Sequence, residues 1–154
     1  MGLFSRKKRE EFMMPISGKI IELENVQDPV FSQGIMGTGL AVEINEPEVI
    51  APISGKVTSI FPTGHALTIE GTNGINVLIH IGLDSVNLKD GTFEKMVNVD
   101  DMVNQGDLLI KVNLDSFKEA KVATTCPIIF LDKQVITICK NESVKGDTKT
   151  IKID

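Results

Sequence analysis

The feature that most restricts the fold of this chain is the shortness of its apolar runs. From Phe12 onward, Gly, Pro, Asn or Asp interrupts each run after a few residues. Short runs bounded by turn residues are typical of all-β sandwiches and barrels, whereas βαβ units need longer amphipathic segments between strands. We therefore predict an all-β sandwich or barrel with at most short helices.

The same pattern predicts where the strands and the one helix lie. The predicted strands are residues 19–23, 39–44, 48–51, 55–61, 66–70, 75–81, 108–112, 135–139 and 148–153. Only residues 112–123 have the length and spacing of a helix, with Ser116 or Asp115 as the N-cap. Two similar segments, M-P-I-S-G-K-I at residues 14–20 and A-P-I-S-G-K-V at residues 51–57, indicate a pseudo-symmetric pair of strands.

The length of 154 residues suits one domain with a sizeable core and is short for two. We predict a single domain over residues 12–154 and a flexible basic tail over residues 1–11. The tail reads M-G-L-F-S-R-K-K-R-E-E. It fits either a frayed terminus or a short amphipathic segment in weak contact with an anionic membrane. We expect no export signal and no membrane span, because no apolar run is long enough.

Charge and cysteine content narrow the function classes. The formal net charge of −5 disfavours nucleic acid as a partner, because phosphates select basic surfaces. It is compatible with a basic protein partner. The two cysteines, Cys126 and Cys139, are too few for a disulfide framework or a zinc ribbon, and free thiols suggest a cytoplasmic protein.

The chain has only two histidines, and the turn signal E-G-T-N-G lies between them. A loop of two or four residues pairs positions whose numbers sum to 145, which places His65 directly opposite His80. Alternation along the strand puts Val77, Ile79 and Ile81 on a core face, and Leu78 and His80 on the other face. Thr63 and Asp84 would then lie close to the two histidines.

Three chemistries suit such a pair. A zinc site needs a third ligand, from Asp84 or from a partner. The H-x-x-x-D and H-x-H motifs of lysostaphin-type zinc peptidases fail here, because Ile69 and Leu78 occupy the required positions. Ser85 and Cys126 are weak candidates for a nucleophile, since neither lies in a nucleophile motif. Phosphoryl carriage by a neutral imidazole needs only a nucleophile, a neighbouring donor and an exposed docking surface.

The segment G-I-N-V-L-I-H-I-G-L-D-S-V at residues 74–86 resembles the active-site signature of the glucose-type IIA component of the bacterial sugar phosphotransferase system. The similarity extends over about residues 14–153. It is supported by D-P-V-F at 28–31, A-P-I-S-G-K-V at 51–57, F-P-T-G-H-A at 61–66 and V-N-L-K-D-G at 86–91.

This resemblance implies an antiparallel β-sandwich that carries a phosphoryl group on His80. It further implies that His65 donates a hydrogen bond to the phosphate and that Thr63 orients His65. The carrier protein HPr would supply the phosphoryl group, and a cysteine of a IIB domain in a sugar permease would accept it. No cofactor or metal is required, although a partner carboxylate could complete a zinc site with His65 and His80. The implied docking residues are Val30, Phe31, Phe61, Leu78 and Val86, with Asp84 at their acidic edge.

Some positions depart from that family. Leu67 and Leu78 stand where some relatives carry Phe, and Gly64 replaces a larger residue, which bears on partner preference. Phe31 and Phe61 would by default be buried core residues. The segment around Cys126 lacks the C-x-T-R pattern of a IIB domain. The alternatives are a non-catalytic regulatory or binding module on the same sandwich and, less favoured, a zinc-dependent hydrolase.

Overall fold

The computed structural model describes residues 11–154, so the predicted tail lies outside the described residues except for Glu11. The strands are β1 Gly18–Glu22, β2 Thr38–Ile44, β3 Glu48–Ile50, β4 Gly55–Ile60, β5 Ala66–Gly71, β6 Asn76–His80, β7 Phe93–Lys95, β8 Met102–Val103, β9 Leu108–Val112, β10 Thr125–Phe130, β11 Ile136–Ile138, β12 Glu142–Ser143 and β13 Ile151–Ile153. Two short helices, α1 Pro29–Ser32 and α2 Leu114–Ala120, and the 3-10 turns Leu23–Asn25 and Ser85–Asn87 connect them.

The strands form one large sheet and two small ones, all antiparallel. The eight-stranded sheet has the order β12-β1-β2-β10-β6-β5-β4-β8, and the small sheets are β3-β9-β7 and β11-β13. One apolar cluster joins Val42 and Ile79 of the large sheet to Val49 and Ile110 of the β3-β9-β7 sheet. Because side chains of two sheets share this core, the molecule is an antiparallel β-sandwich, which confirms the predicted fold class.

The repeated P-I-S-G-K segments occupy matching places in the large sheet. β1 begins at Gly18 and β4 begins at Gly55, and each strand lies one position in from an edge of the sheet. β12 covers the outer side of β1, as β8 covers the outer side of β4. The predicted pseudo-symmetric strand pair is therefore confirmed.

Matching hydrogen bonds join the start of each P-I-S-G-K strand to the loop that follows its edge strand. We call these two places the corners of the sheet. In one corner the side-chain Oγ of Ser17 accepts from the backbone N–H of Lys145, at 2.9 Å. In the other corner Ser54 Oγ accepts from the N–H of Gln105, also at 2.9 Å. In both corners a serine side chain thus satisfies a backbone N–H next to the start of a strand.

The glycine that begins each strand is required by close backbone packing. A Cβ atom on Gly18 would lie 1.7 Å from the carbonyl oxygen of Glu43, and one on Gly55 would lie 2.2 Å from that of Glu70. Neither distance is possible for a carbon atom, so both corners depend on glycine.

The prediction missed β10, which lies at the centre of the large sheet between β2 and β6. Pro127 lies within this strand, and proline argues against a central strand because it cannot donate to the ladder. Pro127 pairs with Ala41 of β2, whereas the pairing with β6 begins only at Ile128. The proline therefore interrupts the pairing on one side only. The short strands β7, β8 and β12 were also missed.

The predicted helix and the last predicted strand are both too long. Residue Val112 belongs to β9, and α2 begins only at Leu114. Its N-cap is Asn113, whose side-chain oxygen accepts from the N–H of Asp115, so the predicted caps Ser116 and Asp115 are wrong. The helix ends because Lys121 adopts the left-handed conformation. The predicted strand 148–153 is reduced to Ile151–Ile153.

Candidate functional site

The hairpin β5–β6 positions both histidines, but its register differs by one residue from the prediction. Ala66, not His65, lies opposite His80. The reason is the loop, in which the Gly71 N–H donates to the Ile75 carbonyl at 2.8 Å and leaves residues 72–74 as a three-residue turn. Gly74 supplies the positive φ of +85° that such a turn needs.

The predicted faces of β6 are confirmed. Val77, Ile79 and Ile81 are buried in the main core. Leu78 belongs to a second, smaller cluster that also contains Phe31. His80 is half-buried on that second side of the strand.

His65 reaches His80 because the chain departs from strand geometry just before β5. Gly64 has a φ of +81°, and the backbone carbonyl of His65 accepts from the N–H of Ile81 at 2.7 Å. The two imidazole rings meet edge to face, with centroids 5.1 Å apart and an angle of 80° between their planes. The histidines are therefore neighbours, as predicted. They meet because of the irregular backbone before β5 and not because they pair across the two strands.

The hydrogen bonds of the two rings determine which nitrogens are free. His80 Nδ1 lies 2.7 Å from the carbonyl oxygen of Gly82, and since a carbonyl only accepts, Nδ1 carries the hydrogen. The lone pair of neutral His80 is then on Nε2. His65 Nδ1 is hydrogen-bonded to the hydroxyl of Thr63. Both contacts hold the Nδ1 side of the ring, and among residues 11–154 neither Nε2 atom has a hydrogen-bond partner.

Burial keeps the two rings neutral near pH 7. The pKa of His80 lies below the ordinary value of 6.5 because burial disfavours the cation, an effect partly opposed by the Gly82 hydrogen bond and by Asp28 and Asp84. The pKa of His65 is also lowered, first by burial and then by His80. A neutral imidazole has the lone pair that a nucleophile needs.

Aromatic and apolar side chains surround the pair. The Phe31 ring lies 5.1 Å from the His80 ring, and the Phe61 ring lies 5.2 Å from the His65 ring, both edge-on. The six predicted docking residues divide into two groups. Phe31 and Leu78 are buried beneath the histidines, whereas the others are exposed: Val30 at 45%, Phe61 at 42%, Val86 at 46%, and Asp84.

Residues 10–136 match the model of the family described as phosphoenolpyruvate-dependent sugar phosphotransferase system, EIIA 1. The chain belongs to this family.

Individual relatives agree with the family match. The chain is 38% identical over 143 residues to the glucose-specific EIIA component of Staphylococcus aureus strain COL, covering 90% of this chain and 86% of the relative. It is 40% identical over 147 residues to the glucose-specific EIIA component of Oceanobacillus iheyensis, covering 93% and 89%. The solved structure of glucose permease IIA from Mycoplasma capricolum matches with a TM-score of 0.84 and 36% identity, covering 98% of this chain and 99% of that chain.

Three residues at the candidate site were not predicted from the sequence. Gly82 supplies the acceptor for His80, and its φ of +81° could have been anticipated from the glycine directly after the strand. Asp28 caps α1 by accepting from the N–H of Val30 at 3.0 Å, and its negative charge raises the pKa of His80. Phe93 lies 6.4 Å from the His65 ring, although nothing in the local sequence places it there.

The alternative nucleophiles of this EIIA chain are unsuitable. Ser85 is 1% exposed, and its hydroxyl donates to the carbonyl of Ile81 at 2.6 Å. Cys126 is fully buried, and burial raises the pKa of its thiol to about 12, so no thiolate forms at neutral pH. Neither side chain is available for attack on a substrate.

The described part of the EIIA chain has no group of three His, Cys, Asp or Glu side chains that could hold a metal ion. His65 and His80 could contribute two ligands, and a third would have to come from outside residues 11–154. Within the same residues, no helix has the length and apolarity needed to cross a bilayer.

Proposed function

We propose that this EIIA chain is a cytoplasmic phosphoryl carrier in which His80 accepts a phosphoryl group from phospho-HPr and passes it to a cysteine of a IIB domain. Residues 12–154 act as the single carrier domain. The observation that carries the proposal is the 2.7 Å contact between His80 Nδ1 and the Gly82 carbonyl, which leaves Nε2 as the free nucleophile of a neutral ring.

In the first step the Nε2 lone pair of His80 attacks the phosphorus atom held by HPr. The new bond is N–P, and the bond from phosphorus to the donor atom breaks, with its electron pair returning to HPr. The phosphorylated imidazole ring of His80, which keeps its Nδ1–H, then carries a positive charge. The Gly82 carbonyl, whose negative end faces Nδ1–H, stabilises that charge. In the second step a IIB thiolate attacks phosphorus, and the N–P electron pair returns to Nε2.

His65 would support the transfer by donating from Nε2–H to a phosphate oxygen. That hydrogen is present when Nδ1 accepts the hydrogen bond from the Thr63 hydroxyl, the contact found at this site. The centroids of the His65 and His80 rings are 5.1 Å apart, which supports this role. Donors fixed in advance around the transferred group are the main contribution that proteins make to phosphoryl transfer.

The exposed surroundings suit a partner with apolar and basic groups. Val30, Phe61 and Val86 are exposed apolar residues, and the Phe61 ring lies 5.2 Å from the His65 ring. Asp84 is also exposed, and together with Asp28 it acts electrostatically on His80. These two carboxylates favour a partner with a cationic docking surface, and HPr is the partner that we propose. The partner groups would have to exclude water from His80 while transfer occurs.

Phosphate acceptance tests the proposal directly. The chain is incubated with phosphoenolpyruvate, enzyme I and HPr, and intact mass is measured before and after mild acid treatment. We expect one acid-labile phosphate on the unaltered chain and none on His80→Ala. An unaltered chain that takes up no phosphate, or a His80→Ala variant that is fully phosphorylated, would refute the carrier function and favour a binding module.

His65→Gln provides the matched variant for the supporting role. We expect it to accept phosphate from HPr and to pass it to a IIB domain about a hundredfold more slowly, since the glutamine amide does not reproduce the position of the His65 Nε2–H. Onward transfer at the normal rate would refute the role of His65. A zinc-dependent hydrolase predicts chelator-sensitive peptide cleavage instead, and we expect no such cleavage.

A further inference from the structure

The carbonyl that holds His80 is itself held by a segment distant in sequence. The backbone N–H of Gly82 donates to the sulfur of Cys126 at 3.3 Å. The next N–H, that of Leu83, donates to the carbonyl of Ala123 at 3.2 Å. Residues 123–126, which lead from α2 into β10, therefore bind two successive amides at the turn that follows β6.

We propose that Cys126 is a positioning residue for His80, acting through the Gly82 peptide. Its consequence for phosphoryl transfer rests on the carrier function proposed above. Cys126 does not touch the reacting atoms. Its sulfur fixes the orientation of Gly82, and the Gly82 carbonyl in turn fixes the hydrogen on Nδ1 of His80.

Packing leaves Gly82 little freedom apart from rotation of its peptide groups. Its φ is +81°, and a Cβ atom at this position would lie 2.4 Å from the Cε2 atom of Phe117. The ring of Phe117 therefore closes one side of the turn, and no larger residue could replace the glycine. The direction of the Gly82 carbonyl therefore depends on the hydrogen bonds that the N–H groups of Gly82 and Leu83 make.

These contacts form two hydrogen-bonded routes from the interior to His80. In one, the carbonyl of Ala123 accepts from Leu83 N–H, and the carbonyl of the same peptide group, that of Gly82, accepts from His80 Nδ1. Hydrogen bonds in series polarise one another, so this arrangement strengthens the acceptor. In the other, Cys126 holds the preceding amide and prevents the turn from rotating.

The sulfur is suited to this role because it both accepts and donates. Its S–H donates to the carbonyl of Thr124 at 3.3 Å while its lone pair accepts from Gly82. Burial keeps the thiol neutral, with a pKa raised to about 12. A serine hydroxyl could make both bonds, whereas alanine and valine could make neither. Substitution by an apolar residue would leave the N–H of Gly82 without its acceptor.

The first experiment measures the tautomer of His80 by ¹⁵N NMR in the unphosphorylated full chain, at a pH where the ring is neutral. We expect the Nδ1–H tautomer in the unaltered chain and in Cys126→Ser. In Cys126→Ala and Cys126→Val we expect a measurable population of the Nε2–H tautomer. Val49→Ala is the control for general loss of stability, because Val49 is equally buried and lies in the separate β3-β9-β7 sheet.

The second experiment measures the initial rate of phosphate uptake from phospho-HPr. We expect about a fivefold decrease in Cys126→Ala and Cys126→Val, a rate within about twofold of normal in Cys126→Ser, and no change in Val49→Ala. The alanine variant preserves the test if valine prevents folding, because it removes atoms without adding bulk.

The two readouts separate this inference from the carrier function. Tautomer shifts in the alanine and valine variants would support positioning by Cys126 even if the unaltered chain took up no phosphate. Pure Nδ1–H tautomer and normal uptake in both variants would overturn it while leaving the carrier function intact. Equal shifts in Val49→Ala would also overturn it, because they would trace the effect to stability alone.

Discussion

The two halves of the large sheet have similar frames, but only one of them holds the candidate site. The half β12-β1-β2-β10 and the half β6-β5-β4-β8 each place a P-I-S-G-K strand beside a short edge strand. In each corner a serine side chain accepts a hydrogen bond from a backbone N–H. In the second half, however, β5 and β6 form a continuous hairpin with a histidine at its open end.

The two halves differ at the ends of the strands and not in the hydrogen bonding between strands. Gly64, before β5, and Gly82, after β6, both have positive φ angles, of +81° in each case. These departures turn the His65 ring towards His80 and bring a carbonyl oxygen to Nδ1 of His80. The two halves therefore share a frame, while the candidate site depends on two irregular turns in one half.

Replacing the corner glycines should have the largest effect on the frame. Gly18→Ala and Gly55→Ala each place a Cβ atom within about 2 Å of a carbonyl oxygen. We expect each to lower the free energy of unfolding by about 3 kcal/mol or more, as measured by urea denaturation. Gly74→Ala is the comparison variant: its φ of +85° strains any side chain, but nothing lies within 4 Å of the added carbon, so it shows backbone strain without a clash and should lose less stability. The two corners are not equivalent if only one of these glycines proves essential.

Removing the corner serines should have a smaller effect. Ser17→Ala and Ser54→Ala each leave one backbone N–H without its acceptor, which costs about 1–3 kcal/mol when the group is buried. Ser17 is 4% exposed and Ser54 is half-buried, so we expect the larger loss for Ser17→Ala in urea denaturation. Phosphate uptake should be normal in both variants. Reduced uptake in Ser54→Ala alone would show that the corner of the second half contributes to the site.

Acid should distinguish the two corners. The pKa of Asp147 is lowered from 3.8 to about 2, first by the hydrogen bond from Lys140 and then by those from Lys149 N–H and Thr150. The unfolded chain therefore binds this proton first, and stability is lost as the pH falls from about 3.8 to about 2. We expect Asp147→Asn to flatten that part of the stability profile. Asp107→Asn, at the other corner, is the control. An identical profile in Asp147→Asn and the unaltered chain would contradict the assignment.

The smallest expected effect is a change in titration midpoint at the site. Both histidine pKa values lie below 6.5 because of burial. In ¹H NMR titrations we therefore expect both midpoints below the value measured for a histidine in an unstructured peptide. Since the unfolded chain binds these protons more readily, the folded state loses stability as the pH falls below about 6.5. A midpoint above 6.5 for His80 would mean that the Gly82 hydrogen bond, Asp28 and Asp84 together outweigh burial.

Much of the frame could be predicted because it depends on local patterns. Turn residues and apolar alternation located most strands, and period two assigned Val77, Ile79 and Ile81 to the core. β10 was missed because Pro127 has the local signature of a chain break, while the partner strand β2 lies far away in sequence. The register of the hairpin was wrong by one residue because E-G-T-N-G fits loops of two, three or four residues equally well.

The sequence by itself determined the fold class, the core face of β6 and the two histidines as the centre of the candidate site. These follow from the order of residue types along the chain, and the strings around His65 and His80 are long enough to identify a family. Only the tertiary structure decided which nitrogen of His80 is free, because that depends on the Gly82 carbonyl, whose direction is set by Cys126 and Ala123 from another part of the chain. Contacts between distant segments leave no periodic pattern in the sequence, so packing alone determines them.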